Sequence, residues 1–183
     1  MKPPNTLNQQ HAGTRFLMNH PNSLSHSIIQ TPLGEMVIWA SSQHLIGAWF
    51  TDQHNLNPQA LHSPLVSGQG VHREADLWLK NYFAKRAPNP NDLPLQIDQA
   101  TPLQRITWQA LKDIPSGEKI SYSELALKIG RPNCARSVAS AVAKNPLLIF
   151  LPCHRVVGSD GTLRGYSAGL HRKQSLLLIE LKD

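Results

Sequence analysis

Apolar residues gather in short runs early in the chain and take up helical spacing further on. The runs 27–30, 35–40 and 45–50 are separated by Thr31-Pro32-Leu33-Gly34 and Ser41-Ser42-Gln43-His44. Short apolar runs bounded by such turn residues predict three antiparallel strands. Val71, Ala75, Trp78, Leu79, Tyr82 and Phe83 then recur at helical spacing, which predicts an amphipathic helix whose aromatic stripe packs on a core rather than on a cofactor. Ahead of the first strand, about 25 residues rich in Asn, Gln, His and Pro show no sustained period. They read as a flexible extension over residues 1–26.

The run Ala87-Pro88-Asn89-Pro90-Asn91-Asp92-Leu93-Pro94 cannot continue a helix and is the expected domain linker. After it, Thr101-Pro102-Leu103-Gln104 supplies the N-cap, first-turn proline and glutamine of a capped helix start, with Leu103, Ile106, Ala110, Leu111 and Ile114 as its apolar stripe. Ser121-Tyr122-Ser123-Glu124 is a second capping box, opening a short helix that stops at Gly130-Arg131-Pro132. Asn133 is the expected cap of the next helix, over about 134–144. Two short helices across a tight glycine turn form a helix-turn-helix, a pattern that many proteins share without touching DNA. The apolar run 147–151 reads as a buried strand. A final helix over 171–181 carries Leu176, Leu177, Leu178 and Ile179, expected to pack its end on the core.

These elements predict an α+β protein with a small antiparallel-sheet N-terminal domain and a mainly helical C-terminal domain containing the helix-turn-helix. The division is 1–26 extension, 27–94 sheet-plus-helix domain and linker, 95–183 second domain. At 183 residues and 40% apolar content the chain can bury an ordinary core. Charge is unevenly spread: residues 1–100 carry six Lys/Arg and six Asp/Glu, residues 101–183 twelve and six. The whole excess of +6 lies in the C-terminal part. A basic half beside a neutral one suits a polyanionic partner, and equally a merely soluble basic surface. Two cysteines argue against a disulfide framework and for a reducing compartment. No apolar run approaches the ~18 residues of a membrane span and no signal-peptide core is present, so a cytoplasmic protein without a membrane partner is expected.

The chemistry concentrates in Leu151-Pro152-Cys153-His154-Arg155-Val156-Val157. Proline fixes its own φ and pushes its predecessor toward extended backbone, so Cys153 is expected on a sharp turn at the end of the apolar run. A lone cysteine is more often an inert core residue. Here a histidine follows directly, and an imidazolium nearby can pull a thiol pKa from about 8.5 to between about 3.5 and 7.5. Adjacent side chains on extended backbone point apart, so a water or the turn itself must close the gap. The base needs an orienter, and Glu180 at the end of the last helix is a candidate, though by spacing alone it reads as a solvated carboxylate. Asn145 reads as a helix cap before Pro146.

Pro152-Cys153-His154-Arg155-Val156-Val157 resembles the hallmark of the O6-alkylguanine-DNA alkyltransferases, Pro-Cys-His-Arg-Val followed by Val or Ile. Asn145-Pro146, the loop Gly165-Tyr166-Ser167-Ala168-Gly169 and the ending Lys173, Leu176-Leu177, Glu180 are similar to the same family. The similarity runs from Thr101 to the last helix. It implies irreversible, single-turnover removal of the alkyl group from O6-alkylguanine in double-stranded DNA, with O4-alkylthymine as a second candidate substrate, by a monomer that needs no cofactor.

The resemblance also implies roles. Cys153 accepts the alkyl group, His154 acts through a water as its base, Glu180 orients His154 and Asn145 holds the turn. On the second helix of the helix-turn-helix, small residues including Ala135 and Ser137 let the helix enter the minor groove. Arg136 fills the space of the extruded nucleotide, and Tyr122 helps turn that nucleotide out. Tyr166, the Ser167 backbone and the carbonyl of Val156 line the flipped base, with Lys173 nearby. Without the resemblance, Arg136 and Lys173 read as solvated charges and Tyr122 and Tyr166 as packed aromatics. His11, His20, His26, His44, His54, His62 and His72 lack a compact ligand spacing, so no metal site is expected. Two rival classes use the same residues: a cysteine hydrolase, for which no oxyanion hole is evident, and a non-catalytic binder of alkylated DNA, which the presence of Cys153 disfavours.

Overall fold

The computed structural model describes residues 23–97 and 100–181. The N-terminal part is an antiparallel sheet in the order β1 (Ser25–Thr31), β2 (Gly34–Ala40), β3 (Leu45–Phe50). The strand starts two residues earlier than expected, so Ser25 and His26 are not part of an extension. The His26 N–H and carbonyl pair with Pro64 O and Val66 N at 2.9 and 2.8 Å, which fixes that end. The remainder of the expected extension, residues 1–22, lies outside the described residues.

Both faces of the sheet are covered. Met36, Ile38, Ala48 and Phe50 enter the main core, whereas Val37, Trp39 and Trp49 form a smaller cluster with Ala60. Ala60 belongs to α1 (Pro58–His62), a short helix absent from the sequence expectation, capped by Asn57 Oδ1 on Gln59 N at 3.0 Å. Helix α2 (Gly70–Phe83) buries Val71, Ala75, Trp78, Leu79 and Tyr82 as its pattern predicts.

In the C-terminal part, α3 (Pro102–Lys112) carries the expected capping box, with Thr101 Oγ1 accepting from Gln104 N at 3.3 Å and Gln104 Oε1 from Thr101 N at 2.9 Å. Its buried face is turned from the expected stripe. Ile106 is exposed, and Trp108 is buried in its place, its Nε1 donating to Ala141 O at 2.8 Å. The larger ring gains more from burial, and its N–H finds a partner there. Helices α4 (Tyr122–Lys128) and α5 (Ala135–Ala143) form the helix-turn-helix, packed on each other and on α3. Asn133 does not cap α5. It lies in the turn at φ 68°, a conformation Asn tolerates, and Cys134 takes the cap position without a side-chain bond.

The run 147–151 is a buried turn rather than a strand. Leu151 N bonds Leu147 O at 2.9 Å, and Ile149 sits at φ 72°, an unusual value for a β-branched residue. A fully apolar run carries no period, so the pattern alone could not separate strand from turn. The turn leans on the free edge of β3, where Ala48 N donates to Pro146 O at 2.8 Å and Leu148 N to Ala48 O at 3.1 Å. A 3₁₀ turn (Cys153–Arg155) and β5 (Val156–Val157) follow, the latter parallel to β4 (Ile120–Ser121).

The last helix, α6 (Leu170–Glu180), buries Arg172, Lys173, Leu176 and Glu180. Of the expected apolar end, Leu176 is in the core and Ile179 packs against it, whereas Leu178 is exposed. The inward stripe, at positions three and four apart, is mostly charged. The main core runs without a break from Met36 and Ile38 to Leu148 and Leu176. Among the described residues, no helix is long and apolar enough to cross a membrane.

Candidate active site

Cys153 opens the 3₁₀ turn, only 4% exposed, with its amide bonded to Leu151 O at 2.7 Å. Asn145 builds the turn that holds it. Its Oδ1 accepts from Leu147 N at 2.9 Å, and its Nδ2 donates to Leu151 O at 2.9 Å and to Cys153 Sγ at 3.0 Å. Asn145 lies one residue beyond the Lys144 cap of α5, so its work is in the turn and not at the helix end.

His154 is fully buried, and its Nε2 lies 2.7 Å from Glu180 Oε1. Glu180 is a buried carboxylate and not a solvated one, 6% exposed. Three groups not expected at the site converge on it. Arg155 donates from NH2 to Oε1 at 2.8 Å and from Nε to Oε2 at 2.9 Å, the Tyr82 hydroxyl donates to Oε1 at 2.7 Å, and Gly117 N donates to Oε2 at 3.3 Å. Gly117 has φ 83°, and a Cβ there would stand 2.9 Å from the Glu180 carbonyl oxygen. The other imidazole nitrogen, His154 Nδ1, is buried with no hydrogen-bond partner among the described residues.

Burial pushes the Cys153 thiol up to about 11, against the opposing pull of the Asn145 hydrogen bond and the Lys173 charge. Burial also holds His154 below its ordinary value, assisted by Arg155 and Lys173 and opposed by Glu180. For Glu180, burial alone would raise the pKa, but the hydrogen bonds from His154 and Arg155 hold it well below the carboxylate range. Burial thus favours a neutral thiol and a neutral imidazole beside the carboxylate. Relative to the thiolate–imidazolium pair considered from the sequence, burial works in the opposite direction, because both ionised forms would have to give up water.

Cys153 lies on a cavity of about 790 Å³ whose walls include Tyr122, Arg136, Tyr166 and Ser167. Tyr122 stands at the first position of α4 and Arg136 on the exposed side of α5. Ala139 and Ala143, also on α5, line the cavity, whereas Ala135 and Ser137 lie on the same helix outside it. Val156 is behind the cavity, fully buried, its carbonyl accepting from Lys173 Nζ at 2.6 Å. Lys173 also donates to Arg164 O at 2.6 Å, tying the loop that carries Tyr166 to β5. Burial lowers the Lys173 pKa to about 8. The Tyr166 hydroxyl is buried with no partner among the described residues. His54 and Asn55, from the loop after β3, complete the cavity mouth. No sequence pattern marked them, because only the chain crossing brings them there.

Among the described residues, no three His, Cys, Asp or Glu side chains are grouped to hold a metal ion. Both cysteines are free. A thiol on a cavity wall shared with cationic and aromatic side chains, next in the chain to a buried imidazole–carboxylate pair, is suited to nucleophilic attack on an electrophilic carbon.

Residues 102–182 match the family described as 6-O-methylguanine DNA methyltransferase, DNA binding domain. The chain is 36% identical over 156 residues to a methylated-DNA–protein-cysteine methyltransferase of Salmonella typhimurium, covering 81% of this chain and 91% of that protein. Over 94 residues it is 52% identical to the bifunctional transcriptional activator/DNA repair enzyme Ada of Escherichia coli, a match spanning 51% of this chain and 26% of Ada. The O6-methylguanine methyltransferase of Mycobacterium tuberculosis superposes with TM-score 0.77 at 34% identity, covering 86% of this chain and 92% of that one. A structure of the Mycobacterium tuberculosis protein in complex with DNA superposes with TM-score 0.76 at 34% identity, covering 85% and 92%.

Proposed function

The chain belongs to the methylated-DNA–protein-cysteine methyltransferase family, and on that premise we propose that Cys153 is the acceptor that irreversibly takes the alkyl group of O6-alkylguanine in double-stranded DNA. DNA repair by alkyl transfer to a protein cysteine is the activity, and DNA is the partner. The observation that carries the residue assignment is the place of Cys153 on the lining of the cavity that Tyr122, Arg136, Tyr166 and Ser167 share, with the buried His154–Glu180 pair beginning at the next residue.

O6 of a stacked guanine cannot meet a sulfur held inside the protein, so the nucleotide must rotate out of the duplex. Arg136 takes the vacated space and Tyr122 presses the nucleotide outward, with α5 in the minor groove presenting Ala135 and Ser137. Tyr166, Ser167 and the backbone around Val156 receive the base, and Lys173 keeps that loop in place. His154 Nδ1 takes the thiol proton through an intervening water, and Glu180 supports the imidazolium that forms. The sulfur attacks the alkyl carbon, the S–C bond forms as the C–O6 bond breaks, and the guanine anion regains a proton from His154. The products are a thioether and guanine. No cofactor enters this balance.

A thioether offers no leaving group that water displaces readily, so each molecule reacts once. O4-alkylthymine presents the same electrophilic carbon and is a second substrate on this reading. The protein acts as a cytoplasmic monomer, with residues 95–183 as the DNA-binding and acceptor domain and 27–94 as a second domain packed against it.

Incubation with duplex DNA bearing labelled O6-methylguanine tests the proposal. One equivalent of label is expected on the protein, mapped to Cys153, with Cys134 unmodified. Repeated turnover, or label on Cys134 with Cys153 untouched, overturns it.

A further inference from the structure

Tyr82 belongs to α2, in the half of the chain outside the matched region 102–182. Its pattern is that of a core aromatic, which a phenylalanine would satisfy as well. The hydroxyl is what packing does not explain. It donates to Glu180 Oε1 at 2.7 Å and lies 3.3 Å from His154 Nε2. The ring is 3% exposed, stacked on Trp78 at 5.7 Å and edge-on to the His154 ring at 6.3 Å, so the hydroxyl is held where it is.

We propose that Tyr82 is a positioning residue that sets the proton affinity of His154, by fixing the imidazole with its proton on Nε2 and by drawing charge from Glu180. The inference rests on the reading of Cys153 as acceptor and His154 as its base. It extends the reacting site into the N-terminal half of the chain.

Two consequences of the geometry support it. His154 Nε2 faces two oxygens, Glu180 Oε1 and Tyr82 Oη, so a lone pair there would point at a carboxylate. The proton therefore sits on Nε2, and Nδ1 keeps the lone pair that accepts from the thiol. Glu180 Oε1 also serves three donors at once, His154, Tyr82 and Arg155 NH2. Charge spread over several short bonds holds an imidazolium less tightly than a bare carboxylate does.

The groups facing His154 are Glu180 and Lys173 from α6, Arg155 and Cys153 from its own turn, and Tyr82 from α2. Burial, Arg155 and Lys173 disfavour the imidazolium, and Glu180 favours it. Whatever moderates Glu180 therefore moderates the base. The 2.7 Å bond from Tyr82 to the carboxylate outweighs its longer approach to Nε2, so loss of the hydroxyl strengthens Glu180 and raises the affinity of His154 for a proton.

The test is the pH dependence of alkyl transfer from free O6-benzylguanine to the full chain, followed by intact mass, in Tyr82→Phe. This substitution keeps the ring in its stack. The acid limb of the rate profile is expected to move up by about half a pH unit or more, given that a hydrogen bond to a charged group contributes on the order of one pKa unit and part of it reaches His154. Transfer is retained, and the loss of rate grows as the pH falls. Titration of His154 by NMR should show the same upward shift without any chemistry.

In a Glu180→Gln background, adding Tyr82→Phe should cause no further shift, because the effect runs through the carboxylate. Trp78→Phe disturbs the same packing without touching the bond, and should slow transfer by a constant factor across the pH range. An unshifted limb in Tyr82→Phe, or an equal shift in Trp78→Phe, overturns the inference alone. A wild-type protein that takes up no benzyl group overturns the acceptor reading and this inference with it.

Discussion

Asn145 Nδ2 stands 3.0 Å from Cys153 Sγ while the same side chain bonds Leu151 O and Leu147 N, so one residue both closes the turn and touches the sulfur. Replacing it with alanine leaves the Leu147 amide without its partner, at about 1–3 kcal/mol, while Leu151 O keeps only its bond from the Cys153 amide. For a chain of this size, each kcal/mol lowers the melting temperature by roughly 2–4 °C. Asn145→Ala should therefore melt several degrees below wild type and transfer alkyl groups slowly, because Cys153 loses its fixed place. A variant with wild-type melting and wild-type transfer would show that the turn stands without Asn145.

Because the Cys153 thiol is pushed up to about 11 and His154 is held below its ordinary value, the neutral pair is favoured at rest. Two pH profiles should then separate. Labelling by iodoacetamide, which needs free thiolate, should be slow at neutral pH and climb toward pH 11. Transfer from O6-benzylguanine, with His154 accepting the proton, should be flat from neutral pH into the alkaline range and fall only in acid, below the ordinary histidine value of about 6.5. The sign for stability follows from the raised thiol. Its contribution is present below the unfolded value of 9.0 and is lost as the pH rises toward about 11, so Cys153→Ser should flatten the melting-temperature profile there. A transfer rate that tracks the iodoacetamide profile would mean the thiolate forms before the substrate binds.

Much of the architecture was legible locally. Capping boxes at Thr101 and Ser121 declared two helix starts, and short apolar runs between turn residues declared β1 to β3. The failures have a common cause. The turn at 147–151 depends on an asparagine side chain standing in for a strand partner, and α6 buries a charged stripe because Lys173 and Glu180 find partners far away in sequence. Cys153 and His154 were readable because they are adjacent in the chain, whereas Asn145 read locally as a helix cap and joined the site only through the family resemblance. Tyr82, His54 and Asn55 reach the site only through the packing of the two halves, and Gly117 reaches it from a turn 63 residues before Glu180, so no spacing rule links them to it.

Arg136 is exposed on α5 at the cavity mouth. If it holds the place of the extruded nucleotide, removing it penalises only the reaction that needs extrusion. Unstacking a base costs a few kcal/mol, and each 1.4 kcal/mol is about tenfold in rate, so Arg136→Ala should slow repair of duplex DNA on the order of tenfold or more. Transfer from free O6-benzylguanine should change little by comparison. Rates for both substrates, measured side by side, decide the matter: equal slowing would assign Arg136 to the fold of the pocket instead.

Alkylation should leave a less stable protein, and the geometry says why. Cys153 is 4% exposed, with Asn145 Nδ2 at 3.0 Å from its sulfur and α5 forming the adjacent wall. Adding a methyl group to a packed site costs typically about 1–3 kcal/mol in displaced neighbours. The neighbours here are the turn that Asn145 closes and the helix that carries Arg136. Burial favours the neutral thiol, so crowding rather than loss of a thiolate charge is the expected cause. The methylated form should melt roughly 2–12 °C below the unreacted one at that cost, and protease should cleave it faster around α5. Cys153→Ser, which adds no bulk, should melt close to the unreacted protein at neutral pH. Equal melting of the methylated and unreacted forms would mean the cavity accepts the methyl group without moving Asn145 or α5.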